Sequence, residues 1–531
     1  MSLPISEHPP HVPTRTLDFY LVLLFLVFPI WSIPIFSWSF VLYELRVGGI
    51  WGLSWYRKAF FTYALAEVLF SIYYYTLHKF VDGPCPIPPA NPDELILAFK
   101  RIVQSGLTNL PEDGNDEETL DISRPGSPAE AIEMLSPTDP RAVDFQNQFR
   151  NWFGGVPWSQ IRRQEMCAWL YWSLFYERLP EFDKIQPTRL KVLLHCLDLI
   201  EKRTGTRFPE GSNPSVLPRL LTLDPVIIWW RPLIYYLTIA LCDFIMKQLL
   251  VYVGNMTHGT RHGLDYLVRI PPTWDASKGP TPIVFLYGLG IGLPQYCTII
   301  CSLLTRFPNR PLFILLQPHL SQQIFHPRFL SPKNRKETTN VMRQLLIDLG
   351  WVPKPADGSA QKRGADDSKP RGITLASHSN GSYVHAWFLK DAPDLVARSL
   401  FIDPVAFCCW EGDLCLKFLY NPATTGIQLV MNYFVSTEVG IVNLLRKQFD
   451  WSSNTLFFEE IPHARDPSRN KFIVANDDVV LSAQRIKRYL VSHGVRKGLY
   501  YNSQGQHGLA LIPGTEGFNE SIKWLDEPEH Y

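Results

Sequence analysis

Ser379 stands in Ser377-His378-Ser379-Asn380-Gly381, directly after the apolar run GITLAS and directly before the helical pattern GSYVHAWFLK. A serine hydroxyl is a weak nucleophile at its own pKa. It attacks a carbonyl carbon only when a histidine takes its proton and a carboxylate orients that histidine. A nucleophile on a sharp strand-to-helix turn also needs small residues two places before and two after, so that strand and helix can approach. Ser377 and Gly381 meet that need, with Ser377 standing where glycine is commoner. His507, in Gly505-Gln506-His507-Gly508, follows the last β-rich run and supplies the base. Asp477, in Asn476-Asp477-Asp478-Val479-Val480 after KFIVA, is the preferred acid, because it precedes a Val-Val pair leading into a helix. Asp403, in FIDPV, competes with it, and Asp478 is the solvated neighbour that would otherwise serve. The developing oxyanion needs two backbone N–H donors. They are expected from Asn380, after the nucleophile, and from Leu289 in the glycine loop YGLG. That loop lacks the lysine of a phosphate-binding P-loop.

These groups work only if one scaffold brings them together. From residue 264 onward short β-rich runs alternate with helical stretches. Strands are expected at 264–270, 283–287, 312–316, 373–376, 399–402, 472–475 and 499–501. Helices are expected at 295–306, 336–349, 382–391, 482–493 and 515–525. Such alternation implies an α/β fold with a mainly parallel sheet covered on both faces, whose active site lies beyond the carboxyl ends of the strands. Ser379, Asp477 and His507 each follow a strand, in that chain order. The aromatic segment 407–451, between the Asp403 and Asp477 strands, is placed as an apolar lid.

SHSNG, YGLG, the Asp477-x-Val-Val turn and the GQHG loop together resemble the α/β-hydrolase superfamily over roughly residues 258–528. Within it the flavour is the membrane-anchored lipase/esterase branch. The resemblance implies serine-dependent cleavage of carboxylic esters with no cofactor and no metal. Tyr287 stands where that family usually has histidine.

The first half reads differently. Residues 19–43 carry no charge and suffice to cross a bilayer. Residues 59–77, interrupted only by Glu67, are a second candidate, in which Glu67 must face a partner helix or water. Residues 225–253 are apolar but broken by Arg231, Asp243 and Lys247, so a membrane-associating helix lying on the surface, or a wall of the site, is expected. Segment 108–142 is acidic and expected to be a disordered loop. Residues 151–176 and 189–203 read as helices. The resulting division is a membrane anchor over 1–80, a helical region over 81–257 and a catalytic domain over 258–531.

Lys+Arg 51 against Asp+Glu 50 gives a net charge of +1, which excludes a nucleic-acid-binding chain as a whole. Nine cysteines without metal or disulfide spacing are expected as buried reduced thiols, among them Cys242, Cys297, Cys301, Cys408 and Cys409. The functional expectation is a membrane-bound serine hydrolase with the lipid bilayer and a lipid ester as partners, in an endomembrane such as the ER. The alternatives are an acyltransferase or thioesterase using the same triad, and a catalytically silent membrane scaffold.

Overall fold

In the computed structural model, which describes residues 4–10, 14–47, 52, 54–88, 91–107, 132–353 and 372–529, the N-terminal apolar run forms one helix, α1 (Leu17–Val47). It widens to a π turn over Leu23–Val27, immediately before Pro29. Proline cannot donate to the preceding turn, and the wider turn accommodates it. α2 (Trp55–Val81) folds back along α1. The pair is held by an Arg57–Glu44 ion pair and by Trp38 Nε1 donating to Ser71 Oγ at 2.9 Å.

A helical region follows, with α3 (Pro92–Gln104), α4 (Pro140–Phe149), α5 (Arg163–Phe175) and α6 (Pro187–Thr204). The single helix expected over 151–176 is broken, because Gly154 and Gly155 both take positive φ and Pro157 follows. Of the acidic segment, residues 108–131 lie outside the described residues. Residues 132–142 are described and lead into α4, with Asp139 capping its start.

α7 (Leu233–Tyr252) comes next. Leu17–Val47 and Leu233–Tyr252 are both long and apolar enough to cross a membrane. For α7 this adds a candidate span to the surface-lying helix or site wall expected for 225–253. Arg231 precedes the helix, and Asp243 and Lys247, one turn apart, have side chains only 14% and 28% exposed. The outward face, with Leu237, Leu241, Phe244 and Ile245, is uninterrupted. Buried Glu67 meets the first turn of α7, where its two oxygens accept from Leu233 N at 2.8 and 3.0 Å. It satisfies an N–H that the helix itself leaves unpaired.

Five longer helices, α8 (Cys297–Arg306), α9 (Arg335–Asp348), α10 (Gly381–Asp391), α11 (Ala483–Ser492) and α12 (Glu516–Asp526), cover an eight-stranded sheet. Its strands are β1 (Thr257–Arg261), β2 (Leu264–Arg269), β3 (Ile283–Leu286), β4 (Leu312–Leu316), β5 (Ile373–His378), β6 (Val396–Ile402), β7 (Asn470–Ala475) and β8 (Leu499–Asn502). Their spatial order is β1-β2-β4-β3-β5-β6-β7-β8. β2 pairs antiparallel with β1 and β4, and all other pairs are parallel. β3, β4 and β5 are buried at every position, as parallel strands covered on both faces must be. β1, whose sequence THGTR carries no apolar alternation, was not among the expected strands. It is a mostly exposed edge strand defined by its pairing with β2.

The helical region and the sheet share one apolar core. It runs from Phe99, Phe149 and Trp172 through Phe401 and Phe472 to Leu490. Segment 407–451 is sandwiched within it. Trp152 Nε1 donates to Trp410 O at 2.8 Å, and Trp451 Nε1 donates to Ser173 O at 2.6 Å.

Candidate active site

β5 runs out at His378, and the chain turns through Ser379 at φ 52° before α10 begins at Gly381. Left-handed backbone at a serine is strained, and here close packing enforces it. A Cβ at Gly381 would sit 2.1 Å from Leu286 O on β3, so only glycine fits. Ser379 N donates to Ile402 O at 3.0 Å, tying the turn to the end of β6. Ser377 is more than small. Its Oγ meets His385 Nδ1 at 2.8 Å, and His385 Nε2 meets Ser399 Oγ at 3.1 Å. Burial drives the His385 pKa down to about 3, so this imidazole is a neutral bridge between β5, α10 and β6.

Ser379 Oγ lies 2.9 Å from His507 Nε2, and His507 Nδ1 lies 2.6 Å from Asp478 Oδ2. The carboxylate that meets the histidine is therefore Asp478 and not Asp477. Asp477 is exposed; its carboxylate accepts from Asn476 Nδ2 at 2.8 Å, and its N–H donates to Gly505 O at 2.9 Å. The Asp478 side chain is 0% exposed, and its other oxygen accepts from Val480 N and Leu481 N at 2.7 and 3.1 Å. Two adjacent aspartates leaving a strand point opposite ways, and the turn after β7 aims the second inward.

Asp403, the other alternative, is fully buried below the histidine loop. It accepts from Ala475 N at 3.0 Å and from Gly508 N at 2.8 Å, so it holds the residue after His507 rather than His507 itself. Burial, with the nearby Asp478 charge, raises its pKa to about 6, against the opposing pull of His507 and the two N–H donors. Burial of His507 acts to lower its pKa. The hydrogen bond and charge of Asp478, with the charge of Asp403, outweigh that and raise it above the usual histidine value.

Leu289 and Asn380 come together beside Ser379. A Cβ at Gly288 would lie 2.8 Å from Ser379 Cβ and 3.2 Å from Asn380 N, so glycine permits this approach. Among the described residues neither Leu289 N nor Asn380 N has a protein acceptor, as oxyanion donors require. Two residues that the sequence reading did not single out set this loop. Tyr296 OH accepts from Gly288 N at 2.9 Å and meets His378 Nδ1 at 2.9 Å, so the Gly288–Leu289 loop is bonded to the residue preceding Ser379. His378 was visible in SHSNG, but nothing local in the sequence pairs it with Tyr296. Tyr287 is buried and accepts from Gln317 N at 2.7 Å.

A small apolar pocket of about 40 Å³ opens at Ser379, lined by Leu289, Tyr383, Val405, Leu414, Phe418 and Val480 among others. Leu414 and Phe418 belong to segment 407–451, which roofs Ser379. That segment is tied in turn to α1: Thr16 N donates to Thr424 O at 2.9 Å and Gly426 N to Asp18 Oδ2 at 2.6 Å. Of the nine cysteines expected to be buried, Cys167, Cys196, Cys409 and Cys415 are, Cys85, Cys297 and Cys408 are partly so, and Cys242 and Cys301 are exposed because their helices turn them outward.

No protein-family model and no curated protein matches this chain. Among solved structures it is similar to a putative hydrolase from Bacillus subtilis, at 12% identity over 55% of this chain and 98% of that one, with a TM-score of 0.35. It is also similar to carboxylesterase CesB from Bacillus subtilis (14% identity, 55% and 98% covered, TM-score 0.33) and to a bacterial membrane phospholipase A (12%, 55% and 96%, TM-score 0.32). The fold itself is read from the strands. With β2 antiparallel in an otherwise parallel run from β4 to β8, and a serine at positive φ between β5 and α10, the chain has the α/β-hydrolase fold.

Proposed function

We propose that this protein is a membrane-bound serine hydrolase that cleaves carboxylic esters of lipids through an acyl-enzyme. The observation that carries the reading is the unbroken hydrogen-bonded chain Ser379–His507–Asp478 at the turn after β5. In this mechanism Ser379 Oγ adds to the ester carbonyl carbon while His507 Nε2 takes the hydroxyl proton. Asp478 holds the imidazole with Nε2 free to accept and stabilises the imidazolium. The N–H groups of Leu289 and Asn380 hold the oxyanion. Collapse breaks the C–O bond, and His507 returns its proton to the departing alkoxide. Water, deprotonated by His507, then releases the acid. The apolar pocket at Ser379 suits an acyl chain, and the outward apolar faces of α1 and α7 suit a bilayer, where such esters dissolve.

A fluorophosphonate probe tests the reading. The wild-type protein should label and the Ser379→Ala protein should not. Equal labelling of the variant would place the reactive serine elsewhere and end the proposal.

A further inference from the structure

A second, larger cavity adjoins the acyl pocket. It measures about 410 Å³, within the range of small-molecule sites. The two cavities share Asn380, Tyr383, Leu445 and Phe449, so the larger one begins where the nucleophile's pocket ends. It lies beyond the carboxyl end of β4, between α9 and α10. Its wall is mixed, carrying charged and polar groups that the acyl pocket lacks.

Four cations line it: Arg335 pairs with Glu94 and Asp391, whereas Arg328, Lys333 and Lys336 have no ion-pair partner among the described residues. Three acids share the wall and only Glu94 of them is in an ion pair, which leaves a formal excess of one positive charge. Glu94 pairs with Arg335 at 3.3 Å, Glu337 accepts from Asn334 N at 3.3 Å at the start of α9, and Asp450 accepts from Ser452 N and Tyr176 OH. Gln317, only 5% exposed, lines the same cavity, and its Nε2 has no hydrogen-bond partner. A buried amide donor left unpaired costs roughly 1–3 kcal/mol, so an acceptor is missing there. His319 completes the wall. Burial, with the charge of His326, drives it down to about 4, so it is neutral and does not offset the cations.

We infer that this cavity receives the alcohol side of the substrate and that this side carries a phosphate. Resting on the serine-hydrolase reading, this names the substrate class as acyl esters of a phosphorylated alcohol. The acyl chain fills the apolar pocket, the ester spans Asn380, and the phosphate lies against Arg328, Lys333 and the Gln317 amide. The phosphorylated alcohol then leaves with the proton from His507, and water releases the acid.

The test compares purified full-length enzyme on 1-butyrylglycerol 3-phosphate and on monobutyrin, which lacks only the phosphate. The ratio of their kcat/KM values should favour the phosphate ester at least tenfold. It should fall about tenfold in Arg328→Ala and in Lys333→Ala, the scale of one charge-assisted hydrogen bond. Arg328→Lys should recover part of the loss in the arginine variant, and added salt should lower the ratio. If Arg328→Ala does not fold, Lys333→Ala gives the same reading. Long-chain lysophosphatidic acid in micelles assigns the source. A preference there alone points to a lipid headgroup, and one on both esters to phosphate esters generally.

A ratio near one on both the short and the long-chain esters, or one that neither alanine variant moves, overturns the inference while probe labelling of Ser379 leaves the hydrolase reading standing. Binding of glycerol 3-phosphate to the Ser379→Ala protein, followed by calorimetry, reads the cavity without catalysis. Binding that weakens in an added Lys333→Ala supports the site even if no ester is cleaved, and no binding overturns it.

Discussion

The sheet and the helices α1, α2 and α7 are made from the same apolar residues and dispose of them in opposite ways. Phe285 on β3 and Phe313 on β4 are 1% and 0% exposed, whereas Phe36 on α1 and Phe244 on α7 are 66% and 58% exposed. Each large apolar side chain left in water forgoes roughly 1.5–3 kcal/mol of burial. A face of many such residues therefore needs a cover that the protein does not supply. The difference separates two jobs. The sheet covers its own apolar residues and so holds polar groups to fractions of an ångström at its carboxyl end. The helices leave theirs facing outward, and the proposed function sets a bilayer against them. The contact between α1 and segment 407–451 joins the two regions, because the segment over Ser379 is bonded to the start of α1.

If chemistry belongs to the sheet alone, a change there should stop turnover without releasing the protein from membranes. Asp478→Asn should lower kcat by about 10⁴, the scale expected when the histidine loses its orienting carboxylate. Asp477→Asn, at an exposed position, should stay within about twofold. Asp403→Asn should fall between them, about 10–100-fold, since a buried acceptor for the histidine loop is altered. Steady-state kinetics on a short soluble ester ranks the three, and a larger loss at Asp477 would contradict the geometry.

The helices can be probed through their own thiols. Cys242 is exposed on the apolar face of α7, and Cys301 is exposed on α8 beside Thr298 and Thr305. In native membranes a water-soluble maleimide should label Cys301 at least tenfold faster than Cys242, since a bilayer excludes the reagent. Equal rates, read by mass spectrometry, would mean that α7 faces water and would remove half of the comparison.

A pH profile sharpens the electrostatic side. His507 must be neutral to take the serine proton. Its pKa is raised, so activity is present above that pKa and is lost as pH falls through it. The acid limb of kcat/KM should therefore lie above the ordinary histidine value near 6.5. In Asp478→Asn the residual activity should show a limb at lower pH, because the main stabiliser of the imidazolium has gone. A limb unmoved by that variant would detach Asp478 from His507.

The smallest effect is expected at Ser377. Ser377→Gly restores the commoner residue before the nucleophile but removes the partner of His385 Nδ1. Denaturant unfolding should show a loss of about 1–3 kcal/mol, the cost of an unpaired buried polar group, with kcat changed by less than about threefold. A gain in stability would show that the serine is tolerated only for its size.

Much of this was legible along the chain because its causes are local. Strand-and-helix periodicity depends on residues a few places apart, and the small residues around Ser379 answer a constraint within five positions. Ser379, His507, Leu289 and Asn380 could be singled out as candidates on that basis, and the long uncharged run of α1 could be read as one helix. Other features depended on distant partners. Asp477 and Asp478 are the same residue type at adjacent positions, and only the turn after β7 determines which one reaches His507. Tyr296 and His378 gain their place in the oxyanion loop by meeting across two elements. The charges in 225–253 broke the segment when read in sequence order, yet in the helix Asp243 and Lys247 share one face and leave the other apolar. Residue type and periodicity are properties of short stretches and can be read from them. Which way a side chain faces, and what it meets there, depends on residues a hundred or more positions away, which only folding brings together.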